Sequence, residues 1–324
     1  MYTSEQILEI VNQGISSMQY QRQPEGLYAP IKYVLSLGGK RIRPVLMLMA
    51  YNLYREDVKS LLSPALAIET YHNYTLLHDD LMDKADVRRG KPTVHKVWDD
   101  NTAILSGDSM LVLAYQLMAQ SDPVKLKEVM DLFTETALQI GEGQQYDMEF
   151  ERRNDVQEQE YIEMIRLKTS VLLACALKIG AVLADAPAED AENLYSFGEK
   201  VGLAFQLQDD YLDVYGDPAV FGKKIGGDIR CNKKTYMLIN ALQKADEKQF
   251  AELTSWLEQK NADPDKKVAA VTALYDEIGI KALCDAKINS YFDEAKQCLD
   301  KVALSDEQKA CLWDFAMQLL ERKS

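Results

Sequence analysis

The stretch Leu76–Pro92, LLHDDLMDKADVRRGKP, ends an apolar run with three carboxylates, Asp79, Asp80 and Asp83, inside five residues. Arg88, Arg89 and a Gly-Lys-Pro turn follow at once. On a helix Asp79 and Asp83 share a face, and like charges at that spacing repel by roughly a few tenths of a kcal/mol. A positive partner is therefore expected beside them. Oxygen donors with no His or Cys in a liganding register suit a hard cation, Mg2+ before Zn2+. Held by one or two carboxylates, Mg2+ usually keeps its other positions for water and phosphate oxygens. Upstream, His72, Leu76, Asp79 and Asp83 form one stripe down one face of the same predicted helix.

A single acidic triplet is most often a solvated helix end. A second copy changes that reading. Gln206–Tyr215, QLQDDYLDVY, repeats D-D-x-x-D with Asp209, Asp210 and Asp213, again after an apolar, helix-patterned run. Two such helices facing each other across a bundle would hold several metal ions over one diphosphate.

The composition agrees with this. The chain has 324 residues, enough for one large or two ordinary domains, and its 47% apolar content is that of a globular protein. Sixteen Gly and nine Pro are few for this length and favour helix. The net charge of −14 argues against nucleic acid and anionic membrane surfaces, and makes local basic clusters more informative. Five cysteines without C-x-x-C pairing point to a reduced, cytoplasmic setting. The start, MYTSEQILEI, reads as no signal peptide, and Val171–Leu177 is too short to span a membrane.

Periodicity predicts helices over Ser4–Ser17, Ala29–Leu37, Val45–Tyr54, Ser63–Asp83, Thr102–Gln120, Leu126–Phe150, Gln159–Ala184 and Glu189–Tyr215. More follow over Tyr236–Lys244, Glu247–Glu258, Lys266–Glu277, Ile280–Asp300 and Asp306–Arg322. Lys84–Pro92 reads as a polar loop, and Gly216–Lys234 as a long Gly-rich binding loop. No run alternates as a strand does, and no linker marks a boundary. The expectation is one all-α domain over residues 1–324, a single large helical bundle around a deep central pocket.

With these residues in view, the chain resembles the trans-isoprenyl diphosphate synthases (polyprenyl synthetases), from about residue 25 onward. The marks are GGKRIRP at Gly38, ETYHNYTLLHDDLMDKADVRRGKP at Glu69, GQQYDM at Gly143, RLKTS at Arg166, FQLQDDYLDVYGD at Phe205 and GKKIGGDIRCNKKTY at Gly222. They stand in the family's order and separations. The resemblance implies the isoprenoid synthase fold and a homodimer. It also implies head-to-tail condensation of isopentenyl diphosphate with an allylic diphosphate (dimethylallyl, geranyl or farnesyl), with Mg2+, three ions being the expected number. Asp79, Asp83 and Asp209 would be metal ligands; Asp80, Asp210 and Asp213 would be further ligands or anchors behind them. By the same resemblance Lys40, Arg43, His72 and Arg89 bind isopentenyl diphosphate, and Arg88, Lys168, Lys223 and Lys233 the allylic diphosphate. Arginine suits phosphate through its planar fork, lysine as a point charge. Thr169 and Gln206 match positions lining the reacting carbons. Lys224 competes with Lys223 for its role, and Gln144 and Asp147 match the family without an assigned one.

Each basic residue also has a plainer reading: Lys40, Arg41 and Arg43 as an exposed loop, His72 as a core histidine, Lys168 as a surface lysine. Only their joint occurrence outweighs these. His78 and His95 read as structural, and Arg322-Lys323 as a solvated helix end. Tyr74 and Thr75 lie five and four residues before Asp79, about 6–7.5 Å down the helix at 1.5 Å per residue. In the family such residues set pocket depth, so a short product of about fifteen or twenty carbons is expected. A terpene cyclase is a rival, but would lack GGKRIRP and the second D-D-x-x-D. A non-catalytic subunit of a two-part synthase is another, but such partners lose aspartates, and all six are present.

Overall fold

The computed structural model describes residues 2–18, 20, 22–217, 225–259 and 262–320. Lys223, Lys224 and Arg322-Lys323 lie outside the described residues. The architecture is all-α, as expected. Among the described residues the only β structure is a two-residue antiparallel ladder, Val87–Arg88 with Lys91–Pro92, within the predicted polar loop. Its turn uses left-handed Arg89 and Gly90. Four residues of ladder carry no alternation that a sequence can show.

Predicted and observed helices coincide for Ser4–Ser17, Tyr236–Lys244, Glu247–Glu258 and Ile280–Asp300. The first owes its start to Thr3, whose hydroxyl accepts the Gln6 N–H while the Gln6 side chain accepts the Thr3 N–H. The helix expected from Ala29 begins a turn earlier, at Glu25, and carries Pro30 inside it. Pro30 is buried, and its packing outweighs the lost amide. A larger difference lies at Gln159–Ala184. The chain there forms Glu158–Ile165, then a π turn over Arg166–Ser170, then Val171–Leu183. The Val171 N–H reaches back to the Arg166 carbonyl, the i→i+5 bond of a π turn. One extra residue in a turn leaves apolar periodicity almost unchanged, so pattern reading cannot see it.

The chain gathers into two compact units. The first comprises Met1–Thr134, Cys175–Tyr195 and Ala303–Leu312. In it the helices Leu62–Met82 and Asp100–Met118 pack along each other, and Ile42–Asn52 lies against the former. Ile31, Val34, Leu35, Leu77, Val94, Ala103 and Met110 form one apolar cluster there. The second comprises Glu135–Ala174, Ser196–Val302 and Trp313–Ser324. Its core runs from Phe150 and Tyr161 through Leu203, Leu207 and Tyr236 to Tyr275 and Ile288. Each unit carries one aspartate cluster.

Candidate active site

In the first unit, GGKRIRP builds a basic cradle. Gly38 and Gly39 have φ of +79° and +133°, conformations that L side chains rarely adopt. A Cβ on Gly39 would lie 2.8 Å from Cζ of Arg89, so only glycine lets that guanidinium lie against the backbone, where it donates to the Gly38 carbonyl. The basic residues of this stretch then part company. Lys40 is exposed. Arg41 turns inward, 5% exposed, and pairs with Glu69 at 2.6 Å while donating to the Leu35 carbonyl. Asn73 also donates to Glu69 Oε1, at 2.9 Å. Arg41 is therefore the frame beneath the cradle.

Arg43 Nη1 donates to His72 Nε2 at 3.2 Å. Burial, and then the nearby Arg43, Arg89, Arg88 and Arg41, hold the His72 imidazole well below the usual histidine range. His72 is thus neutral at pH 7 and accepts from Arg43 rather than repelling it. Burial pushes the Arg43 guanidinium down to about 10, which leaves it a cation. Two guanidiniums and a neutral imidazole thus meet here, and planar guanidinium forks are donors that suit polyanions. A core-histidine reading of His72 does not account for these arginine neighbours.

Leu62–Met82 carries the first cluster to its C-terminal end, where Asp83 caps the helix. Asp80, 6% exposed, receives a fork from Arg88: Nε at 2.9 and 3.1 Å and Nη2 at 2.6 Å. Arg88 Nη2 also lies 3.6 Å from Asp79. The positive partner anticipated beside the carboxylates is thus, in part, an arginine of the protein. Burial raises the Asp80 pKa above the usual carboxylate value, and Arg88 opposes that rise. Asp79 is partly buried and Asp83 exposed.

The second cluster lies near the end of Ala188–Tyr215. Asp210, 3% exposed, accepts the Tyr161 hydroxyl on Oδ2 and the Gln206 amide on Oδ1 at 3.1 Å. Burial, and next the Asp228 charge, push its pKa up to about 7, against the opposite pull of Lys233, Tyr161 and Gln206. Asp213 accepts backbone N–H groups from Gly227 at 3.2 Å and Asp228 at 2.9 Å, anchoring the GGD segment. Asp209 is partly buried.

The π turn supplies the neighbours of this cluster. Gly143 packs so closely that a Cβ there would meet the Lys168 backbone nitrogen at 2.4 Å, which is the physical reason for glycine in GQQYDM. Lys168 Nζ donates to Asp147 Oδ2 at 2.6 Å, and the Thr169 hydroxyl donates to Gln206 Oε1 at 3.1 Å. Burial pulls Asp147 up, yet Lys233 and Lys168 outweigh it and leave the carboxyl below its usual value. The structure brings Lys168, Thr169, Gln206, Lys233 and Asp210 into one neighbourhood. It adds Asp147, Tyr161 and Asp228, whose partners are 21, 49 and 15 residues away in sequence. The GQQYDM match was the only sequence signal for Asp147, and none marked Tyr161.

Tyr74 and Thr75 are both partly buried. Tyr74 stacks edge-on to Tyr71 and to His78, with centroids 5.5 and 4.9 Å apart. The Thr75 hydroxyl bonds back to the His72 carbonyl at 2.8 Å. His78 Nε2 lies 3.2 Å from the Ile104 carbonyl, a structural contact.

Among the described residues, no three His, Cys, Asp or Glu side chains gather closely enough to cage a metal unaided. The donor set nonetheless fits Mg2+, which takes few carboxylates and completes its shell with substrate oxygens. Asp80 is bonded to Arg88, Asp210 to Tyr161 and Gln206, and Asp213 to the Gly227 and Asp228 amides.

Residues 24–274 match the Polyprenyl synthetase family. A short chain isoprenyl diphosphate synthase of Methanocaldococcus jannaschii is 40% identical over 279 residues, covering 86% of this chain and 84% of its own. A geranylgeranyl diphosphate synthase of Methanosarcina mazei is 37% identical over 316 residues, 97% and 95% of the two chains. A crystal structure of geranylgeranyl pyrophosphate synthase superposes with a TM-score of 0.93 at 43% identity, over 100% of both chains. That of the Pyrococcus horikoshii synthetase gives 0.91 at 32% identity, over 98% of this chain and 96% of its own. The chain belongs to the polyprenyl synthetase family and has the isoprenoid synthase fold. It is a prenyltransferase. No helix among the described residues is long and apolar enough to cross a membrane.

Proposed function

We propose that this short-chain trans-prenyltransferase condenses isopentenyl diphosphate head-to-tail with dimethylallyl, geranyl or farnesyl diphosphate, giving geranylgeranyl or farnesyl diphosphate. The observation that carries the proposal is the cradle in which Arg43 and Arg89 flank a neutral His72. It provides for a diphosphate held without metal, in addition to one held by the aspartates. A cyclase acting on one diphosphate has no use for it.

The residues divide the work. Lys40, Arg43, His72 and Arg89 bind isopentenyl diphosphate, with His72 orienting Arg43 as a neutral acceptor. Lys168, Lys233 and Lys223 bind the allylic diphosphate, joined by Arg88, whose Nη1 takes no part in the Asp80 fork. Bound Mg2+, expected as three ions, supplies Lewis-acid neutralisation of the departing diphosphate, and Asp79, Asp83 and Asp209 would hold it. The allylic carbon–oxygen bond breaks, its electron pair leaves with diphosphate, and the isopentenyl double bond attacks the allylic cation. The Thr169 and Gln206 oxygens carry the partial negative charge that would steady that cation. A proton then leaves the new adduct, with the released diphosphate as its acceptor.

Tyr74 is the floor of the chain-elongation site and Thr75 a narrower shelf; Tyr74→Ala is expected to lengthen the product. An unchanged product length would remove Tyr74 from that role. Like its family, the protein acts as a homodimer in the cytoplasm. The deciding assay incubates the purified chain with labelled isopentenyl diphosphate and each primer in turn, with mass analysis of the products. Hydrocarbon from farnesyl diphosphate alone would indicate a cyclase instead, and no turnover by the chain alone a dependent subunit.

A further inference from the structure

The segment Gly226–Thr235 carries Asp228 and Lys233, and two different parts of the second unit hold it. Asp213 takes the N–H groups of Gly227 and Asp228. On its other side lies the first turn of the helix Pro264–Ile278. There Lys267 is only 5% exposed, although Asp265 and Lys266 beside it are exposed. A lysine normally lets its stem carry the ammonium to water. This one turns inward, donating to Asn232 Oδ1 at 2.6 Å and reaching the Arg230 carbonyl at 3.5 Å.

Asn232 is the residue immediately before Lys233, and its φ of +56° lies in the left-handed region. Asparagine visits that region more readily than most residues, but still at a cost that its surroundings must offset. Both ends of its side chain are held: Oδ1 by Lys267, and Nδ2 by the Leu257 carbonyl at 3.0 Å. A second tie joins Arg230 Nη2 to Asp265 Oδ1 at 3.1 Å. The Lys233 N–H closes the turn on the Asp228 carbonyl at 2.9 Å. The direction in which Lys233 leaves the backbone is therefore set by Asn232, and Asn232 is set by Lys267. A buried ammonium is costly unless well hydrogen-bonded, so the arrangement holds only while that bond is made.

We propose that Lys267 is a positioning residue for the allylic diphosphate, acting through Asn232 to aim Lys233. The inference rests on the reading above that Lys233 binds that diphosphate. Two variants test it. Lys267→Met keeps the stem and removes the ammonium; Asn232→Gly keeps the left-handed backbone and removes the amide. Each is expected to raise KM for farnesyl diphosphate about tenfold while leaving KM for isopentenyl diphosphate within about twofold. Because both break one link, the double variant should be no worse than the worse single one. Equal rises in both KM values, additive effects, or an unchanged KM for farnesyl diphosphate would each overturn the proposal. Should Lys267→Met fail to fold, Asn232→Gly alone still reads the KM split. Lys233→Met is measured beside them. If it leaves KM for farnesyl diphosphate unchanged, the reading of Lys233 fails; if it raises that KM and Lys267→Met does not, the positioning role alone fails.

Discussion

Asp80 and Asp210 hold the same place in the same five-residue motif, yet they are paired in opposite ways. Arg88, eight residues away, grips Asp80 with a permanent cation. Asp210 meets the neutral donors Tyr161 and Gln206, from 49 and four residues away. The first pairing suits an ionised carboxylate. The second, buried beside Asp228, pushes Asp210 up to about 7, so that a proton competes for it near neutrality. Identical motifs can therefore be charged differently, because the charge state belongs to the neighbours rather than to the letters.

The largest effects should come where the two clusters are alike. Asp79→Ala and Asp209→Ala are each expected to lower kcat roughly 10²- to 10³-fold or more, as the loss of transition-state charge stabilisation does elsewhere. Steady-state assays at saturating Mg2+ would show this. A loss below about tenfold in one of them would break the symmetry of the proposed metal site.

The remaining tests should separate the clusters. Asp80→Asn removes the nearer counter-charge of Arg88 and leaves it only Asp79 at 3.6 Å, and is expected to destabilise the metal-free protein by about 1–3 kcal/mol in urea unfolding. A neutral result would show that Arg88 finds another partner. Asp210→Asn should behave in the opposite sense and depend on pH. The folded pKa of Asp210 is raised, so its ionisation costs stability only as pH rises above the unfolded carboxylate value, and fully above about 7. The variant should match the parent near about pH 4 and melt at a higher temperature near about pH 8. A gain that is equal at both pH values would place the cause elsewhere. The smallest change is expected from Tyr161→Phe. Without that hydroxyl donor the Asp210 pKa rises further, so the acid limb of the pH–activity profile should move to more alkaline pH while the plateau changes little. An acid shift would reverse the assigned sense of that hydrogen bond.

Much of this protein was legible before its structure. The helical class, the ends of Ser4–Ser17 and Ile280–Asp300, and the carboxylate stripe of Leu62–Met82 follow from apolar spacing and capping residues. The basic residues of GGKRIRP were visible too, but not which of them turns inward. Arg41 does so because Glu69, 28 residues later, lies beneath it. Nor was the π turn visible, or the role of Asp147, since one extra residue and one distant lysine leave local periodicity untouched.

By itself the sequence determined the all-α class, the two aspartate clusters and the supply of basic residues near them in the chain, because these are properties of residues within a few positions of each other. Only the tertiary structure decided which aspartate carries an arginine, which tends to hold a proton, and which lysine is buried behind another. Each of those depends on desolvation and on partners that folding brings together from distant parts of the chain, and neither is written in local spacing.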